Sequence, residues 1–147
     1  CSRSKSRIFR RLVIVPYQLE FDDLIAYDPG QPGISVEVTL KLGDDQTTIF
    51  ANLDTGASCC IFERHHGEIL GLNIETGWPQ TISTATGRFL AYGHHVTLSV
   101  LGFSFEALVY FAANENISRN VLGRHGFLQV LRIGLIDYEG KLFLSQY

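Results

Sequence analysis

The sequence contains no methionine, one tryptophan, three cysteines and four prolines in 147 residues. It has no run of eighteen apolar residues, the length a helix needs to cross a bilayer. No internal repeat and no low-complexity stretch occurs. The cysteines are Cys1 and the adjacent pair Cys59-Cys60. Adjacent cysteines bridge each other only with strain, so no disulfide framework is implied, and a reducing, cytoplasmic compartment is the expectation. With no methionine and Cys1 first, the sequence is expected to be a fragment or a processed form. A Cys1-Ser2 start suits a mature lipoprotein, but no signal segment is visible to support that reading.

Positive charge is scarce outside the first eleven positions. Arg3, Lys5, Arg7, Arg10 and Arg11 cluster there without an acid, leaving seven bases against fifteen acids in the remainder. Such a head reads as a solvated tail or a juxtamembrane segment, so membrane contact is expected only through it. The body has no basic stripe with interleaved aromatics, which sets nucleic-acid binding aside. With 46% hydrophobic and 18% charged residues, the chain has the composition of a folded domain. Its length suits one domain that buries roughly two-thirds of the surface its unfolded chain exposes. Residues 1–31 read as a basic head and arm, and residues 32–147 as the folded domain.

What is abundant is short, alternating apolar runs broken by glycine. Residues 11–15 form a short apolar run closed by Pro16, a peripheral strand. Ile34, Val36, Val38, Leu40 and Leu42 alternate with polar residues, the period of a half-buried strand. Gly43-Asp44-Asp45 turns the chain, and residues 47–53 run back as the second arm of a hairpin. A short strand over 59–62 and a helix over 63–70 follow. Residues 79–84 and 88–92 flank Ala85-Thr86-Gly87 as another hairpin. Separate strands are expected over 96–100 and 103–111, then a polar loop over 112–120. A helical turn or two is expected over 126–130, and closing strands over 132–136 and 142–144. Short strands with glycine-rich turns predict an all-β fold, a small closed barrel with one or two short helices.

The second arm of the first hairpin ends in Leu53-Asp54-Thr55-Gly56-Ala57-Ser58, a carboxylate delivered to a strand end and held by a tight turn. Asp-Thr/Ser-Gly arises by chance in about one chain in twenty of this length, so the tripeptide alone reads as an ordinary Asx turn. The surrounding pattern adds to it. Together with the hairpin at Gly87 and Val121-Leu122-Gly123-Arg124, the motif resembles the retropepsin-like aspartic proteases, from residue 34 to residue 144. The resemblance implies an acid-protease barrel built as a homodimer, hydrolysing peptide bonds with no metal or organic cofactor. Asp54 then matches the catalytic aspartate, Thr55 the residue that braces the facing loop of a second copy, and Gly56 the glycine against which substrate backbone lies, with Ala57 completing the active-site loop. Ala85, Thr86 and Gly87 match the tip of a flap that closes over a peptide. Val121, Leu122 and Gly123 match the supporting loop, with Arg124 starting a helix after it.

This sequence departs from that pattern in places. Many viral relatives carry an acid where Ser58 stands, so Arg124 lacks that partner. Cys59-Cys60 is unusual after the turn, and the flap lacks a run of glycines. Ala57 cannot donate the hydrogen bond that a hydroxyl at this place gives the carboxylate, which predicts activity at mildly rather than strongly acid pH. Ile61, Phe89 and Leu122 are expected to line apolar side-chain pockets.

The residues leave three other readings open. His65-His66, His94-His95, His125 and the cysteine pair supply metal-ligand types, but adjacent pairs are poor spacing for one tetrahedral site. Cys59 or Cys60 with His65 or His125 would form a thiolate pair, but no third group is evident to orient it. A non-catalytic dimeric module gripping an extended peptide is the rival from another class.

Overall fold

The computed structural model describes residues 15–147. Among these are ten strands and one short α-helix, so the protein is nearly all-β. In chain order they are β1 (Asp23–Ala26), β2 (Ser35–Leu42), β3 (Asp45–Leu53), β4 (Ile61–Phe62), α1 (Arg64–Ile69), β5 (Trp78–Thr84), β6 (Gly87–Val100), β7 (Phe103–Ala112), β8 (Val121–Leu122), β9 (Leu131–Ile136) and β10 (Lys141–Gln146). The basic head and the strand expected over 11–15, save its last residue, lie outside the described residues. Among the described residues no helix is long and apolar enough to cross a membrane.

Alternation along β2 and β3 sends Val36, Val38, Leu40, Ile49 and Ala51 to one face, where all five are buried. Because side chains alternate, a one-residue slip of this hairpin would turn that whole set to solvent. The larger sheet runs β2-β3-β8-β4-β7-β6-β5. It closes because the far end of β6 also pairs with β2, through Thr39–Ser99, Leu40–Leu98 and Lys41–Thr97. The result is the closed barrel expected from the sequence, with the β5 hairpin arm extending from it. Phe62, Leu98, Val109, Phe111, Leu122 and Phe127 fill its interior. A smaller sheet, β1-β10-β9, packs Leu142 and Leu144 inward. The arm thus supplies β1, which is antiparallel to β10. Beside it the Asp22 N–H donates to Ser145 Oγ (3.2 Å), whose hydroxyl donates to Asp22 Oδ2 (2.7 Å).

Three local expectations are corrected. Residues 88–92 and 96–100 form one continuous strand, β6, and His94 and His95 sit in its interior rather than between two strands. The polar pair is accommodated because each histidine has a partner. His94 Nε2 lies 2.9 Å from the Ile74 carbonyl oxygen, and the His95 ring meets Trp78 edge-on at 5.4 Å. Second, residues 126–130 make turns, not a helix. Leu128 N–H reaches back to Gly123 O (3.1 Å) and Gln129 N–H to Arg124 O (3.0 Å), five residues each, wider than an α-turn. Gly126 stands between them at φ +97°, outside helical backbone. Third, the helix is shorter than the expected span; Arg64 opens it, pairing with Glu68 four residues on (2.7 Å) and with Glu75 (2.5 Å).

The turn from β6 to β7 holds Leu101 at φ 52°, half exposed. A leucine pays roughly 1–2 kcal/mol there, whereas asparagine tolerates left-handed backbone. Leu101→Asn is expected to stabilise the protein by about 1 kcal/mol, raising the thermal midpoint by a few degrees. An unchanged or lowered midpoint in a calorimetric melt would show that the exposed leucine side chain contributes more than its backbone costs.

Candidate active site

The Asp54 turn is laced to the segment 120–125 along its whole length. Before the turn, Asn52 N–H donates to Asn120 O (2.9 Å) and Asp54 N–H to Leu122 O (3.0 Å). After it, Arg124 N–H donates to Ala57 O (2.9 Å) and His125 N–H to Ser58 O (2.9 Å). β8 lies parallel to β3 and antiparallel to β4, so it sits between the strand that enters the turn and the strand that leaves it. Inside the turn, Gly56 N–H donates to Asp54 Oδ1 (2.9 Å) and Ala57 N–H to Asp54 O (3.2 Å). These two bonds fix both the backbone and the carboxylate. The fixing of Asp54 is therefore a backbone matter, set by β3 and β8 rather than by long side chains.

Asp54 opens onto a cavity of ≈ 1000 Å³. The turn contributes Gly56, Ala57, Ser58 and Cys59; the β5 arm contributes Gln80, Thr81, Ile82, Ser83 and Thr84, with Ala85 at its tip. Ile61, Leu108, Tyr110, Arg119, His125 and Gly126 complete the wall. The structure thus gathers Asp54, Gly56, Ala57 and Ala85 around one space. Thr55, Thr86 and Gly87 are exposed and stand outside its lining, the last two at the hairpin tip, where Thr84 Oγ1 donates to Gly87 O (3.0 Å). Val121, Leu122 and Gly123 are buried behind the turn. Arg124 is exposed and has no ion pair among the described residues. Of the three residues expected to line apolar pockets, only Ile61 does; Leu122 is wholly buried in the core and Phe89 is not in the wall.

Nothing local in the sequence marks Arg119 or Tyr110 as wall residues, and His125 stands out only as a metal-ligand type or a base. Arg119 sits in a stretch that looks like an undifferentiated polar loop. Its one distinguishing signal is a lone base immediately before Asn120 and the apolar step.

The cysteines do not read as nucleophiles. Cys60 is buried, its thiol directed at His125 O (3.6 Å). Burial pushes it up to about 11, against a backbone hydrogen bond at Gly123 and with help from Cys59. Burial also raises the half-buried Cys59 thiol, partly offset by a hydrogen bond with Ser58. Since the thiolate is the reactive form, both thiols are expected to alkylate slowly at neutral pH. Iodoacetamide labelling read by fragment mass spectrometry should mark Cys59 before Cys60, and Cys60 only on unfolding; rapid labelling of Cys60 in the folded protein would contradict its burial. Among the described residues no three His, Cys, Asp or Glu side chains gather as a metal site would require.

Two solved structures of similar fold are retropepsin-like proteases. The chain superposes on a retropepsin-like aspartic protease from Rickettsia conorii with a TM-score of 0.62 and 18% identity, over 83% of this chain and 97% of that one. It superposes on the EIAV protease, solved with the inhibitor HBY-793, with a TM-score of 0.52 and 20% identity, over 68% and 88%. No family model matches the sequence, and no curated protein matches it. The protein therefore has the retropepsin-like fold, at sequence identities where the likeness speaks to fold alone.

Proposed function

We propose that the protein is an aspartic endopeptidase in which Asp54 of two identical copies forms the catalytic pair. The observation that carries this reading is the Asp54 carboxylate, held by Gly56 N–H on a turn laced to β8 and lining a cavity whose wall includes the β5 arm. The chain has one Asp-Thr/Ser-Gly, so a pair of carboxylates requires a two-fold axis through the site. Two carboxylates a few ångströms apart do not both ionise easily and share one proton. The ionised member takes a proton from water as its oxygen attacks the scissile carbonyl; the protonated member hydrogen-bonds the carbonyl oxygen and then supplies the proton that leaves with the amine. Thr55, exposed beside Asp54, is free to brace the second copy. The β5–β6 hairpin with Ala85, Thr86 and Gly87 at its tip acts as the flap, excluding water and pairing with the substrate backbone.

The test is cleavage of a mixed peptide library from about pH 3.5 to 7.5, the range in which a coupled carboxylate pair titrates. Wild type should show a bell centred at mildly acid pH, and Asp54→Asn should show no cleavage. A folded dimer that binds peptides and cuts none is the non-catalytic module instead. Cleavage that survives Asp54→Asn would place the chemistry elsewhere.

A further inference from the structure

Among the described residues, Arg119 is the one arginine or lysine in the wall of the Asp54 cavity. It is half-buried, and no carboxylate lies within ion-pair distance of it among the described residues. Residues 1–14 contain no Asp or Glu that would serve. The backbone beside it is nonetheless anchored. The adjacent Asn120 accepts from Glu63 N–H through Oδ1 (3.1 Å), donates to Glu63 Oε1 through Nδ2 (2.5 Å), and takes the Asn52 N–H on its carbonyl. A guanidinium stays protonated at every working pH, and its planar fork of donors matches a carboxylate. A half-buried cation without a counter-ion gains most from a ligand that brings one. Among the described residues the rest of the wall is neutral or apolar apart from Asp54, His125, Tyr110 and Cys59.

We propose that Arg119 is a specificity-determining residue, selecting peptides that carry an aspartate or glutamate side chain in the cleft, with apolar neighbours against Ile61, Ile82 and Leu108. This rests on the peptide cleft of the endopeptidase reading. In a two-fold site Arg119 occurs twice, so the acid is accepted at two positions placed symmetrically about the scissile bond.

The test uses the full-length Asp54→Asn protein, so that binding is read without turnover. Acetylated, amidated peptides differing only by Glu or Gln at successive positions are titrated by fluorescence anisotropy. Glu at one symmetric pair of positions should bind about tenfold tighter than Gln, as a charge-assisted hydrogen bond gives. Arg119→Ala should erase that ratio, and Arg119→Glu should turn the preference to Lys at the same positions, a gain that a merely damaged fold does not give. In parallel, wild type should cleave the Glu peptides with lower KM. Equal binding of Glu and Gln peptides overturns the inference and leaves the endopeptidase reading intact. Acid-selective binding by a wild-type protein that cuts nothing supports the inference and sinks that reading. A preference seen only with a free C-terminal carboxylate, lost on amidation, overturns the side-chain assignment.

Discussion

Gly123→Ala is expected to destabilise the protein by about 3 kcal/mol, lowering the thermal midpoint by roughly 10 °C. A methyl group at this position would run into the carbonyl of Cys59 and lie 2.8 Å from the Ala57 carbonyl oxygen. Both obstacles are backbone, and neither side has room to yield. The Ala57 carbonyl is held by Arg124 N–H, and Cys59 forms a parallel bridge with His125. Relief therefore requires β8 to withdraw from the turn, which breaks the bonds that fix Asp54. Stability and activity should fall together. Gly102→Ala is the control, because a methyl there meets nothing within 4 Å; it should stay within about 0.5 kcal/mol of wild type. Chemical denaturation of the two variants beside wild type decides the matter. If Gly123→Ala unfolds where Gly102→Ala does, the turn and β8 are not packed backbone to backbone.

The barrel was legible because its strands keep the period of two. Val36, Val38 and Leu40 declare their face on paper and occupy it in the structure. Legibility fails where a local signal is overridden by a distant partner. His94 and His95 look like the end of a strand, yet β6 runs through them because Ile74 and Trp78, elements distant in sequence, occupy their polar and aromatic surfaces. The apolar run 126–130 looks helical, but Gly126 adopts a backbone that its sequence permits without announcing. At the candidate site, the residues found by reading are those of the turn itself, since Asp-Thr-Gly is contiguous. Arg119, Tyr110 and Leu108 were missed because what unites them is the cavity: they come from β7 and the loop after it and share no spacing with Asp54. Phe89 and Leu122 were misplaced for a related reason. Apolar character alone does not separate a core position from a wall position, and Leu122 is a core position.

Co-refolding equal amounts of wild type and Asp54→Asn is expected to leave about one quarter of the activity of all-wild-type protein at the same total concentration. If the proposed two-fold site is right, under random pairing only the dimers with two aspartates carry the shared proton between identical carboxylates. A mixed dimer has one carboxylate and one amide, and an amide neither takes the proton from water nor returns one to the leaving amine. The mixed dimer should be slower by roughly 10²–10⁴-fold, the usual worth of a positioned acid or base, and so contribute nothing visible. If each chain instead worked alone, half the activity would remain. A tandem fusion of two copies removes the assumption of random pairing. With Asp54→Asn in one half, the fusion should lose activity to the same degree as the double substitution and keep a thermal midpoint close to that of wild type, since an amide oxygen still accepts the Gly56 N–H. A fusion that retained half its rate would mean that the two aspartates do not act as a pair, and the carboxylate on this turn would need a partner other than its own copy.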